Sequence, residues 1–314
     1  MYGQVAAPKA SKAAPAPVAE APSPRARRTG LFGRVPTPYW LLAPAAVFLA
    51  VFFVWPMIQA LILAFQAEDG SLTSAHFQRM VNDTYFWPAV KYTLLLIVFI
   101  VPLQMVLALA MSLLLQTGLR GTSLFLYAWS IPLAISDLAA GIVWLAIFTD
   151  RGYLNSILAS LGLSESGFPF LSYEHPVSLF LAVVVAETWR ATSLVMVILV
   201  AGVQVIPKDY GEAAEVFGAT FWQRLRYVTL PLLRPSLQVA LILRTILAFQ
   251  VFAVVIALAG RNLPVLVGEA YYWYGSYSNP NVAAAYALLI LVFSLLNTGI
   301  YLRALRVRDE QVGL

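Results

Sequence analysis

Cysteine is absent from the chain, and histidine occurs only as His76 and His175. Without thiols there is neither a disulfide framework nor a thiolate metal site, and two isolated histidines are poor material for a zinc or di-metal centre. Charge is scarce as well: 11% of the 314 residues are Asp, Glu, Lys or Arg, against 61% hydrophobic. A mean hydropathy of +0.78 lies far outside the range of a soluble globular domain. There is no G-x-x-x-x-G-K-[ST] phosphate loop and no G-x-S-x-G elbow, so the chain offers no nucleotide site or serine nucleophile of its own. No internal repeat suggests the inverted plan of many secondary transporters. What remains is an integral membrane protein. The net charge of +5 does not argue for nucleic acid, because the basic residues flank apolar runs instead of lining one solvated face.

Residues 1–35 are rich in Ala, Pro, Lys and Arg without apolar periodicity and are expected to form a disordered basic cytoplasmic tail. Arg25, Arg27, Arg28 and Arg34 precede an apolar run from Tyr39 to Phe65, too long for a cleaved signal segment and long enough to span. Further runs at about 88–116, 124–148, 177–202, 236–260 and 282–303 meet the same length requirement. The expected fold is an all-α membrane protein with six transmembrane helices over residues 36–308, and a C-terminal end, 309–314, on the same side as the N-terminus. Lys and Arg concentrate on that side: besides the tail it holds Arg120, Lys208, Arg224, Arg226, Arg234, Arg303, Arg306 and Arg308. The other side holds Arg79, Lys91, Arg151 and Arg261. The asymmetry places both termini in the cytoplasm. Pro102 and Pro132, inside the second and third runs, are expected to kink those helices. The aromatic tract 271–277 reads as an interfacial belt, with a contact to an external partner as the sharper alternative.

Between the fourth and fifth runs lies a cytoplasmic loop, residues 206–231, that reads as folded structure outside the membrane. Pro207 suits a first helical turn, Tyr210, Ala213, Ala214 and Phe217 recur at helical spacing, and Gly218 is a natural stop. Thr220 and Gln223 form a capping-box pattern for a second short helix, expected to end near Pro231.

The spacing Glu212-Ala213-Ala214, three residues, Gly218, nine residues, Val228, one residue, Leu230-Pro231 resembles the EAA loop of permease subunits of binding-protein-dependent ABC importers. The segments 201–207 and 244–252 resemble the carbohydrate-uptake branch, of the maltose, trehalose and glycerol-3-phosphate type. The resemblance covers about residues 40–308 and implies a coupling helix between spans four and five. It also implies a second homologous permease subunit, a cytoplasmic ABC ATPase dimer carrying ATP and Mg2+, and an extracytoplasmic solute-binding protein, all at a bacterial or archaeal cytoplasmic (inner) membrane. This chain would then form half of the translocation pathway for a sugar, oligosaccharide or sugar derivative, with no cofactor and no catalytic residue. Polyamine, phosphate or peptide as solute, and an ion-coupled secondary transporter, stay as alternatives. Carried over by position, Tyr210, Glu212, Ala213, Ala214, Phe217, Gly218, Leu230 and Pro231 form the element coupled to the ATPase, with Glu212 opposite a basic residue of it. Two positions depart from the family pattern. Phe217 stands where Asp is usual, and Val228 replaces Ile. A helix lying on the membrane surface is the reading that amphipathicity alone would favour.

Charges inside spans are costly and mark functional candidates. At 1.5 Å per residue, Asp137 in the third span and Arg190 in the fourth both lie roughly 20 Å deep, with Glu187 one turn from Arg190 and with Gln104 and Gln250 at roughly 18–22 Å. Asp137 and Arg190, together with Glu187 on the face of Arg190, are read first as a buried ion cluster that fixes helix packing. Glu187, Trp189, Phe249 and Gln250 are the candidate substrate pathway, offering hydrogen bonds and an apolar platform to a sugar. Arg244, roughly 13 Å from its helix end, is expected to snorkel.

Overall fold

The computed structural model describes residue 3 and residues 37–67, 69–116, 120–163 and 167–304. The expected basic tail, save Gly3, and the C-terminal end 309–314 lie outside the described residues, as do Glu68, Glu165, Arg306 and Arg308. Two units divide the chain, residues 1–55 and 56–314. The first holds α1 (Thr37–Leu49) and a π-turn, Ala50–Val54; α2 (Trp55–Phe65) leads into the second, which contains the apolar clusters and polar sites considered below.

Within hydrocarbon each backbone N–H and C=O must be satisfied inside its own segment, so long apolar runs become helices. Five described helices are long and apolar enough to cross a membrane: Leu41–Phe65, α4 (Phe86–Gln116), α8 (Pro176–Val205), Phe221–Phe249 and α14 (Pro280–Ala304). The third predicted span is instead a broken pair. Its legs, Thr122–Ala134 and Asp137–Ser160, meet at 104°. Pro132 lies in a 3-10 turn, Ile131–Ala134, that closes α5 (Thr122–Ser130); Ile135 is extended, and the Ser136 hydroxyl accepts from Ala139 N at 3.2 Å to cap α6 (Asp137–Phe148). A kink was expected here, and a full stop and restart is found, because a helix-breaking proline is followed within a few residues by a new N-cap. Pro102, by contrast, lies inside the unbroken 31 residues of α4.

The fifth span also differs from expectation. No helix ends at Pro231: α10 (Phe221–Arg224), a π-turn Leu225–Thr229 and α11 (Leu230–Phe249) run on as one helix. The wider π-turn just before Pro231 accommodates the missing donor and the ring that would clash with a regular preceding turn. This helix stops at Gln250–Phe252 and is followed by the shorter α12 (Ala253–Leu258).

Three apolar clusters hold the bundle. Leu96 and Ile100 of α4 meet Leu179 and Val183 of α8 and Val254, Val255 and Leu258 of α12. Further along, Met105 and Ala108 of α4 pack with Val195, Met196 and Leu199 of α8 and Leu233 and Ala240 of α11. The third joins Met80 of α3 (Ala75–Val81) and Phe86 to Leu266 and Trp273 of α13 (Leu266–Gly275) and Tyr286 of α14. Two glycines set how closely helices approach. A Cβ on Gly141 would lie 2.6 Å from the Ala257 methyl, and one on Gly202 would lie 2.1 Å from the Ser236 hydroxyl.

Candidate functional site

The loop after α8 folds from its own sequence. Pro207 opens α9 (Lys208–Val216), and Gly218 closes it at φ +77°, where Gly218 N donates to Glu215 O (2.8 Å) and Ala219 N to Ala214 O (2.9 Å). That pairing is a Schellman turn, which needs a residue free to adopt positive φ. The expected capping box is present: Gln223 N donates to the Thr220 hydroxyl at 3.4 Å, and Thr220 N to the Gln223 side chain at 2.7 Å. Arg224 and Glu215 form an ion pair that ties the two limbs together. Tyr210, Glu212 and Ala213 are exposed, Ala214, Leu230 and Pro231 half-buried. Phe217 is 90% exposed, with Val216 (85%), Trp222 (73%) and Tyr227 (70%) also turned outward. The turn thus carries more exposed apolar surface than scattered single residues would.

Mid-bundle, one charged network joins four helices. Arg190 of α8 donates to Glu187 (Nη2 to Oε1, 2.6 Å; Nε to Oε2, 3.0 Å) and to Asp137 of α6 (2.6 Å). Glu187 Oε1 also accepts from Arg244 Nη2 of α11 at 2.8 Å. Arg244 Nε donates to Gln104 of α4, whose amide donates to Glu187 O at 2.9 Å. The structure thus joins Asp137, Glu187 and Arg190, with Glu187, which was also a pathway candidate, fully buried in the ion network. Arg244 is the residue it adds: instead of snorkelling, its side chain is 1% exposed. Asp137 is the open end of the network, its side chain 58% exposed.

Of the other pathway candidates, Trp189 is half-buried edge-on to Trp144 (5.9 Å between centroids), Phe249 is buried facing Phe293 (6.2 Å), and Gln250 is exposed at the break after α11. No described hydrogen bond joins them to the network. Depth along α4 places Gln104 level with the network, but its partners on α8 and α11 follow only from how the helices pack.

A third polar assembly was not foreseen. At the end of the bundle opposite the 206–220 loop, Arg261 in the turn Gly260–Asn262 donates to both oxygens of Glu269 on α13 (3.1 and 2.5 Å) and to the Tyr277 hydroxyl (2.7 Å). Its guanidinium lies 3.7 Å from the Tyr85 ring centroid and 4.8 Å from that of Tyr272. Burial pushes the Glu269 carboxyl above its ordinary value, and the hydrogen bonds and charge of Arg261 only partly draw it back. Burial also pulls the Arg261 guanidinium down, but its bonds to Glu269 and Tyr277 outweigh that and hold it above the usual arginine value. Among the described residues no group of three or more His, Cys, Asp or Glu is placed to hold a metal.

Residues 106–304 match the family described as "Binding-protein-dependent transport system inner membrane component". The chain belongs to this family. This permease is 30% identical over 285 residues to the trehalose/maltose transport system permease protein MalF of Thermococcus litoralis, covering 87% of this chain and 94% of that one. It is 31% identical over 234 residues to the trehalose permease SugA of Mycobacterium tuberculosis, covering 71% and 73%. The arabinooligosaccharide permease AraP of Bacillus subtilis is 28% identical over 293 residues, 89% and 91%. The fold of this chain is similar to that of a chain in the crystal structure of a bacterial ABC transporter involved in the import of the acidic polysaccharide alginate (22% identity, TM-score 0.73, 86% of this chain and 94% of that one covered). As a permease of an ABC importer, the chain is a multi-pass membrane subunit for transport and not the importer's ATPase.

Proposed function

We propose that this permease forms half of the pathway by which an ATP-driven importer brings a sugar, an oligosaccharide or a sugar derivative into the cell. The observation that carries the substrate class is that relatives matching most of the chain are named for trehalose and maltose and for arabinooligosaccharides. A second homologous permease completes the pathway, a cytoplasmic ATPase dimer supplies ATP and Mg2+, and a solute-binding protein delivers the solute from outside. Six spans, counting the bent pair as one, leave both termini in the cytoplasm with the Lys- and Arg-rich loops. On that side α9 docks into the ATPase through Tyr210, Glu212, Ala213, Ala214 and the turn at Phe217–Gly218, while Leu230 and Pro231 pass the movement into α11. Exposed Gln250 and half-buried Trp189 serve the solute, backed by Phe249. Glu187 acts from beneath, holding Arg190 and Arg244.

The test is reconstitution of the complete importer in proteoliposomes with labelled saccharides. Expected is uptake that requires ATP and the loaded binding protein and survives an ionophore. Uptake that collapses with the ion gradient while ATP is intact would overturn the reading, and a binding protein that retains a polyamine, phosphate or peptide would change the solute class.

A further inference from the structure

A surface arginine in a short turn needs only water, yet the guanidinium of Arg261 is engaged on its edges and its face. Two of its bonds reach Glu269, which is fully buried on the inner side of α13. A third reaches Tyr277 in the turn before α14, and its face lies over Tyr85, one residue ahead of α4. One side chain in the connector after α12 therefore fastens α13 and the beginnings of α4 and α14. Neighbouring bonds reinforce the join: Leu266 N donates to the Thr93 hydroxyl of α4 at 3.0 Å, and Trp273 donates to Asp83 at 2.9 Å. Immediately before α12 the backbone leaves the helix, with Phe252 at φ −141° and ψ −56° and its ring 5.1 Å from Tyr271 of α13. A fastened block thus abuts a break in the long helix that leads from the 206–220 loop.

We propose that Arg261 is a positioning residue for transport. It holds α13 and the adjoining ends of α4, α12 and α14 as one block beside the break at 250–252, so that these elements keep their mutual placement when the importer changes state. An apolar plug would seal this end but permit sliding, whereas a planar, bidentate and stacked guanidinium fixes direction as well as distance. Lysine has the charge without the fork. The proposal rests on the importer reading above.

The experiment uses the complete importer in proteoliposomes, with Arg261→Gln, Arg261→Lys, Glu269→Gln and the exchange Arg261→Glu with Glu269→Arg. Folded complex is measured by size exclusion, ATP hydrolysis with and without loaded binding protein, and solute moved per ATP. Expected is near wild-type recovery and continued hydrolysis, but about a tenfold loss of solute moved per ATP in the first three variants, with partial rescue by the exchange. Should Arg261→Gln fail to assemble, Glu269→Gln still decides, because the Arg261 side chain is 22% exposed and keeps water and the Tyr85 ring. Wild-type solute per ATP in these variants, or a loss that merely tracks the amount of folded complex, would overturn the proposal. A wild-type complex that moves no solute with ATP would overturn the importer reading itself, and this inference with it.

Discussion

At Glu187, one carboxylate oxygen accepts from two arginines while its side chain is wholly buried. Glu187→Leu therefore strands Arg244, and the expected cost is about 3–5 kcal/mol, seen as loss of folded protein in a detergent unfolding assay. Asp137 is the open end of the same network, and without it Arg190 keeps both bonds to Glu187, so Asp137→Asn is expected to shift the melting curve less than Glu187→Leu does. Depth along a helix brought Asp137 and Arg190 together in the sequence reading. It misplaced Arg244, because the helix begins at Phe221 and not near residue 236. At Glu269 the carboxyl is raised above 4.5 by burial, so its contribution to stability is fully present below 4.5 and lost as pH rises through the raised value. Melting temperature should fall across that acid window, and Glu269→Gln should flatten the fall.

Between elements, small residues and breaks carry the design. Gly141 brings α6 against α12, where an added Cβ would meet the Ala257 methyl at 2.6 Å and backbone at 3.3 Å, so Gly141→Val is expected to cost about 1–3 kcal/mol, measured by thermal unfolding. Gly218→Pro removes the donor of its 2.8 Å bond and the positive φ of +77° that turns the chain after α9. Membrane insertion should persist and ATP-driven uptake should vanish; uptake at normal rates would detach α9 from coupling. The α9 turn and the Thr220–Gln223 box were legible because caps are local, decided within four residues. The stop at Pro132 and the passage through Pro231 were not. The same ring ends one helix and is absorbed in another, according to whether a new N-cap follows or a π-turn precedes.

For the whole molecule, Phe217, Val216, Trp222 and Tyr227 leave the 206–231 segment with a broad exposed apolar surface, the one the proposed docking would cover. Phe217→Ser is expected to cost about 2 kcal/mol of ATPase assembly, measured by co-purification under fixed detergent and salt. Full assembly would assign the aromatic to the lipid surface. By itself the sequence determined the membrane class, the helical fold, the loop and the resemblance to importer permeases, since hydropathy, caps and fixed motif spacing act within one segment. Tertiary structure decided which charges are buried, where spans break and that Arg261 meets Glu269, Tyr277 and Tyr85. Such pairings depend on the rotation of one helix against another, which helix length and depth leave open, and which packing fixes when buried charges must find partners.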